Sequence, residues 1–480
     1  MASRTRKEFD IVVVGSGAGL TGIAVPSARN GLRVCLIEEG PLGGTCLNRG
    51  CIPSKMLLHP AEVAQEMEEC QKLHLRTHGV ERHHQALVEE VCNHIDKAAE
   101  NWKPKVEEHG IHLIQDHVTF VDKRVLRVES TGEEITAPKI FIACGARPAA
   151  PPIDGLESTP YITYVEALRM TKKPKSACVI GGGYIGAELA FFLHEMGIKV
   201  TVLDSKANLA DREDEDVAEE FMKVFTSIVD VKPEVNITKV RHNDGTFTVE
   251  YGDDQKTHTI EAEQLLVATG VQANCDKLQV EKTGVELTEQ GMIKADECLR
   301  TTCEGVWALG DCVGNFMFRH SANFEAEYLL RSAALPKDTS KQQPIDYAPM
   351  PHAVFSYPQM SGVGKTEQEL KEEGTGYIKG VALYSKTPMG MALRAKHGFA
   401  KVLVDKASRK VLGFHVIGSD ASKLVHEVIP VMTMGGKLDD ILKCIHIHPA
   451  MNEVVRDAFR EARDAFLEQR LDIPDDIRYK

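Results

Sequence analysis

The chain has 480 residues, 43% of them hydrophobic and 6% aromatic, with a formal net charge of -13. That length points to roughly two to four domains. The acidic balance lacks the basic footprint of a nucleic-acid binder, and no apolar run reaches the ~18 residues of a membrane-spanning helix.

The opening MASRTRKEF is basic and hydroxylated, like a transit peptide, but it runs straight into an apolar strand. The terminal DIRYK matches no common address signal. The expected compartment is cytoplasmic, with the mitochondrial matrix as second choice.

Two segments share one design. FDIVVVGSGAGLTG leads through a helix to RVCLIEEG, and SACVIGGGYIGAE leads through a helix to KVTVLDSK. Each is an apolar strand, a glycine-rich turn, a helix and a second strand ending in an acid, which is the opening unit of a dinucleotide-binding fold. Gly15 precedes Glu38 by 23 positions, and Gly181 precedes Asp204 by the same 23. The turn's backbone N–H groups face a diphosphate, and the acid accepts hydrogen bonds from ribose hydroxyls. Asp204 would repel a 2′-phosphate, and Lys206 is the only cation close behind it, so NAD is favoured over NADP. The first turn departs from the usual pattern. Leu20 stands where a third glycine is normal and Gly19 comes one position early, so the helix must pack farther from the strand or turn differently.

Between these units lies GGTCLNRGCIPSK, Gly43 to Lys55. Five positions of regular helix would hold the two cysteines too far apart for a disulfide, whose Cα limit is about 7 Å. The spacing therefore predicts an irregular turn at Cys46, with Cys51 near the start of the next helix, where a thiolate is stabilised. The chain has twelve cysteines. The other ten (Cys35, Cys70, Cys92, Cys144, Cys178, Cys275, Cys298, Cys303, Cys312 and Cys444) read as packing or surface residues of a reducing compartment.

Farther on, Ile140 to Ala143 reads as a buried strand before the Pro-rich crossing CGARPAAPPIDG. QLLVATG (264–270) and GVWALGD (305–311) are further strands, and Asp211 to Glu220 reads as a solvated acidic helix face. After Pro344, short alternating strands predict an antiparallel sheet with helices. The fold class is α/β: two Rossmann-like dinucleotide-binding domains plus a C-terminal α+β domain. The expected boundaries are 1–150 for the first dinucleotide domain, 151–270 for the second, 271–345 for a continuation of the first, and 346–480 for the terminal domain; the family resemblance given below assigns these to FAD, NAD, FAD and dimerisation. Within IHIHPAMNE, His448 can take a proton from a dithiol and return it, and Glu453 can orient its imidazole. His446 makes only a weak metal pair with His448, and His320 reads equally as a packing or a flavin-side residue.

GGTCLNRGCIPSK closely resembles the active-site segment of the class I flavoprotein disulfide reductases. The resemblance extends over nearly the whole chain, through both glycine turns, VATG, ALGD and HPAMNE. It implies a flavin-facing thiol at Cys51, an interchange thiol at Cys46, a Lys55–Glu188 ion pair beside the flavin and a ribityl contact at Asp311. It also implies a homodimer in which each site is completed by the partner's His448. FAD is assigned to Gly15, Gly17, Gly19, Glu38, Gly44, Thr45, Lys55, Gly145 and Asp311. NAD is assigned to Gly181, Gly183, Tyr184, Gly186, Asp204 and Gly270, with Tyr184 as an aromatic cover.

Within that family, Val25 occupies the place of a glutathione-binding arginine, and the chain ends without the cysteine pair of mercuric reductases. The implied substrate is dihydrolipoamide or a lipoyl domain, oxidised with reduction of NAD. The alternative is an NAD(P)H-dependent reductase of a small disulfide, of the mycothione or glutathione type. A non-catalytic flavoprotein subunit is the reading from another class.

Overall fold

The computed structural model describes residues 6–252 and 256–469. The start of the transit-like segment and the terminal DIRYK lie outside them. Ile11–Val14 and Val34–Ile37 are buried at every position, the pattern of parallel strands covered on both faces. They build a five-stranded parallel sheet in the order Val306–Ala308, Lys139–Ile142, Ile11–Val14, Val34–Ile37, His112–Ile114. The GVWALGD strand thus returns to close the first sheet from far along the chain. The second unit repeats the plan in four parallel strands: Asp230–Lys232, Lys199–Leu203, Ser176–Ile180 and Gln264–Val267.

The helix after the first glycine turn resolves the Leu20 question. A methyl group on Gly19 would lie 2.7 Å from Val13 Cγ1 and 3.1 Å from Ala143 Cβ. Gly19 therefore serves as the close-packing glycine, one position early. The helix does not sit farther out. It opens into a π turn over Leu20–Ala24, where the Val25 N–H reaches back to the Leu20 carbonyl. One extra residue in a turn absorbs the offset, and Leu20 points into the core, fully buried.

After residue 350 the chain forms a five-stranded antiparallel sheet: Pro351–Val354, Met360–Gly364, Val411–Ile417, Phe399–Asp405, Tyr377–Leu383. The amphipathic helix Glu453–Glu468 packs on it through Phe459 against Phe414, ring centroids 6.4 Å apart. Two features had no clear sequence signal. Arg6–Glu8, Val118–Asp122, Val125–Val128 and Glu134–Thr136 form a side sheet. The second is the long helix His84–Glu100, which packs against the expected Cys51 helix, Cys51–Glu69, beside the second unit.

The acidic stretch 211–220 corrects the solvated-face expectation. Its helix, Glu215–Phe225, does have an exposed side, but Glu213 and Asp214 are 1% and 0% exposed. Lys401, itself fully buried, reaches from the C-terminal sheet to Asp214 at 2.7 Å, Asp216 at 2.6 Å and Glu367 at 2.5 Å. Glu213 pairs with His352 at 2.9 Å. These acids tie the second dinucleotide unit to the C-terminal domain.

Candidate active site

One cleft of about 1270 Å³ runs between the two glycine turns, bounded by the cysteine pair and by the segment around Asp311. Its two ends are built alike. Gly15 has φ +103°, and an added methyl would lie 2.2 Å from the Ala143 carbonyl oxygen. Gly181 has φ +101°, and its methyl would lie 2.5 Å from the Ala268 carbonyl oxygen. In both turns a left-handed backbone and a tight approach to the neighbouring strand require glycine. Gly44 closes the first turn by packing on Gly17, where a methyl would come within 2.6 Å of Gly17 Cα.

The acids hold the turns. Glu38 accepts from the Ser16 N–H at 2.8 Å, the Ser16 hydroxyl at 2.6 Å and the Gly40 N–H at 2.9 Å. Asp204 accepts from the Gly182 N–H, and from the Lys206 N–H at 2.7 Å. Thr45, Gly145, Gly183 and Gly270 also line the cleft. Gly19 and Gly186 do not line it. They lie behind it, and a methyl on Gly186 would strike the Gly181 carbonyl at 1.9 Å, so their task is packing helix on strand rather than touching a ligand.

Cys46 lies within a short helix, Gly44–Arg49, rather than in the irregular turn expected. The irregularity falls at Gly50, with φ -149° and ψ -119°, and Cys51 opens the helix Cys51–Glu69. The break swings the second helix so that the two sulfurs meet despite the five-residue spacing. Both are free thiols here, Cys51 exposed and Cys46 half-buried. The hydrogen bond from Cys46 lowers the Cys51 thiol to about 7, aided by Lys55 and Arg319 against burial. The same hydrogen bond, with burial, holds Cys46 well above the usual thiol range. The pair is therefore polarised, with Cys51 the thiolate.

Beside it Lys55 Nζ lies 2.9 and 2.8 Å from the two Glu188 oxygens. Glu188 Oε1 also accepts from the Phe355 N–H at 2.9 Å, and Lys55 lies over the Phe355 ring. Asp311 lines the cleft, and its carboxyl is raised by burial and by nearby Glu325, partly offset by Arg319. Tyr184 begins the helix after the second turn. Its ring stacks on His352 at 6.1 Å and 9°. Burial, with the Glu213 carboxylate beside the hydroxyl, raises its phenol.

His448 lies away from this cleft. Its Nδ1 is 3.0 Å from Glu453 Oε1, and its side chain is 67% exposed. Glu453 is buried, and the His448 hydrogen bond leads the interactions that lower its carboxyl. Arg456 and the Ala450 N–H also hold that carboxylate. His446 bonds Glu427 through Nε2 and the Cys444 carbonyl through Nδ1, which leaves neither nitrogen for a metal pair. His320 bonds the Pro351 carbonyl and stacks on Phe318, a packing role.

Among the cleft residues that sequence reasoning missed are Arg49, Arg212 and Arg319. Arg49 and Arg319 line the cleft near the first glycine turn, and Arg212 lines it near Tyr184 at the second. Arg212 was missed because it lies 28 positions beyond Tyr184 and only folding of the loop brings it to the cleft wall. Arg49 stands in plain view between the two cysteines.

The glycine cradles, the hydrogen-bonded acids and the cleft arginines fit two dinucleotides with anionic diphosphates. Residues 9–326 match the family described as pyridine nucleotide-disulphide oxidoreductase, and residues 350–459 match its dimerisation domain. The dihydrolipoyl dehydrogenase of Cupriavidus necator is 32% identical over 471 residues, covering 94% of this chain and 97% of its own length. The mycothione reductase of Mycobacterium tuberculosis is 30% identical over 458 residues, covering 94% and 98%. The solved structure of the HOCl-induced flavoprotein disulfide reductase RclA from Escherichia coli superposes with a TM-score of 0.82 at 28% identity, covering 94% of this chain and 99% of that one. A chain matched over both its catalytic and its dimerisation parts belongs to the pyridine nucleotide-disulphide oxidoreductases, the class I flavoprotein disulfide reductases, which work with FAD and a nicotinamide dinucleotide.

Proposed function

We propose that this protein is a dihydrolipoamide dehydrogenase, oxidising a small dithiol at Cys46–Cys51 and reducing NAD+. The observation that carries this reading is the polarised pair: an accessible dithiol at the mouth of a two-dinucleotide cleft, its thiolate on Cys51. Val25 supports an uncharged substrate, since it is buried in the core and offers no charge to a carboxylated disulfide.

With the pair oxidised, a substrate thiolate attacks Cys46 Sγ and the Cys46–Cys51 bond breaks, leaving Cys51 as thiolate. The second substrate thiol then attacks the mixed disulfide, releasing the cyclic disulfide and reduced Cys46. The partner's His448, held by Glu453 of its own chain, takes the substrate proton at Nε2. The exposed, pre-oriented imidazole outside its own cleft supports this sharing between subunits, as does the dimerisation domain. Bound FAD supplies two-electron transfer between dithiol and nicotinamide. When it is bound, Lys55 and Glu188 would set a fixed charge pair beside it, Asp311 would hold its ribityl chain, and Gly15, Gly17 and Glu38 would hold its adenosine diphosphate end. Asp204, Gly181 and Tyr184 orient the nicotinamide coenzyme.

The second reading is an NADPH-dependent reductase of a small disulfide, favoured by Arg212 on the coenzyme wall. A guanidinium there can pair with a 2′-phosphate. The deciding experiment is the steady-state reduction of NAD+ and of NADP+ by dihydrolipoamide with the FAD-loaded protein. Fast turnover with NAD+ and little with NADP+ supports the dehydrogenase. Negligible turnover of a protein whose flavin NADPH still reduces overturns it in favour of the reductase.

A further inference from the structure

Two arginines, Arg49 and Arg319, line the cleft beside the first glycine turn, Arg319 acting also on Cys51 and Asp311. Arg49 ends the short helix that presents Cys46, and Arg319 begins the helix Arg319–Leu329. Neither side chain makes a hydrogen bond or ion pair among the described residues, and the Arg49 Nε is buried without a partner. A buried N–H left unsatisfied is unfavourable, so it calls for a ligand. Both guanidinium groups lie on the cleft wall beside the first glycine turn and the loop after its acid. Arg319 Nη1 comes within 3.8 Å of where a side chain on Gly17 would lie, and Arg49 Nη2 within 3.6 Å of where one on Gly40 would lie. Gly17 belongs to the first glycine turn, and Gly40 to the loop that Glu38 fixes beside it. Glu38 is the nearby acid, but the N–H groups of Ser16 and Gly40 and the Ser16 hydroxyl already occupy its carboxylate.

We propose that Arg49 and Arg319 form a two-arginine clamp on the diphosphate of FAD. Two guanidinium groups match the two negative charges of a diphosphate, and each offers a fork of N–H donors to its oxygens. The turn between them supplies backbone N–H groups but carries Leu20 in place of the usual third glycine. The clamp adds charge-assisted hold to that altered turn.

The test uses the holoenzyme and reads FAD retention rather than turnover. Dilution series at low and high salt, followed by the fluorescence of released FAD, give its Kd for wild type, Arg49→Gln, Arg319→Gln, the double variant and the two Lys variants. Each Gln change is expected to weaken FAD binding about tenfold or more, as loss of a charge-assisted bond does. The double variant should be weaker still, and the Lys variants intermediate. The dependence of log Kd on log salt should become shallower in every Gln variant. Wild-type Kd in both single Gln variants overturns the clamp. Weaker binding with an unchanged salt dependence also overturns it, since that would mean lost packing rather than lost charge. Unchanged FAD retention in Arg319→Gln, with a rise in the pH at which the Cys51 thiolate forms, overturns it as well by assigning that arginine to the thiol.

Discussion

Two chemically identical thiols, Cys46 and Cys51, differ here because of their position. Cys51 begins a helix, receives the Cys46 hydrogen bond and lies near Lys55 and Arg319, and each of these favours its anion. Its proton is lost near pH 7, against about 8.5 for an ordinary cysteine. A lowered acid is protonated only as pH falls through its folded value, so the thiolate is present above about 7 and disappears below it. Alkylation of the reduced, FAD-free protein by iodoacetamide should therefore accelerate through about pH 7, with Cys51 labelled first by mass spectrometry. Labelling that begins at Cys46, or rises only near pH 9, would contradict the polarity drawn here. The proton acceptor proposed for the dithiol step can be tested in the same way. His448→Gln should slow oxidation of dihydrolipoamide by roughly 10²–10⁴-fold while leaving flavin reduction by NADH nearly intact in stopped flow. Equal slowing of both half-reactions would remove the imidazole from the dithiol step.

At the scale of the element, the first glycine turn shows how one misplaced glycine is accommodated. Gly19 does the close packing and the π turn Leu20–Ala24 takes up the offset, which sends Leu20 into the core with Val13 and Phe141. Restoring the usual motif should therefore harm the protein. Leu20→Gly removes a fully buried side chain, a loss of about 2–5 kcal/mol by analogy with truncation to alanine, and adds about 1 kcal/mol of helix penalty. A clear fall in the thermal midpoint is expected. A variant as stable as wild type would mean the helix can shift back to an ordinary register. Gly50 acts in the opposite sense, since it interrupts what would otherwise be one continuous helix and so lets Cys46 reach Cys51.

Across the whole molecule, the coenzyme unit and the C-terminal sheet are joined by buried charge. Lys401 is fully enclosed by Asp214, Asp216 and Glu367, and Glu213 pairs with His352 alongside. Burial alone would raise the Glu367 carboxyl, but its bonds from Lys401, Tyr377 and Lys379 outweigh that and lower it well below the usual range. Because the folded value lies below the unfolded one of about 4.3, this stabilisation is present at neutral pH and lost only as pH falls below that. Lys401→Met should cost about 3–5 kcal/mol near neutrality by leaving Asp214 buried without its cation. The gap in midpoint between variant and wild type should narrow in acid. A variant within experimental error of wild type at pH 7 would show that the acids reach water when Lys401 is removed.

The sequence by itself determined what depends on local spacing. Matching glycine–acid intervals placed both dinucleotide turns, the cysteine pair in its flanking residues marked two interacting thiols on the cleft wall, and the His-Pro segment with Glu453 gave a pre-oriented imidazole. These were legible because each is confined to a few neighbouring residues whose backbone requirements are strict. Only the tertiary structure decided what depends on distant parts of the chain meeting. Gly19 and Gly186 proved to be packing residues, and Glu213 and Asp214, which read as a solvated face, became buried links between domains once His352 and Lys401 were folded onto them. Arg212 and Arg319 joined the cleft in the same way. A charged side chain in a sequence carries no sign of whether water or another charge will surround it, because that depends on which strand or helix the chain later returns to cover it.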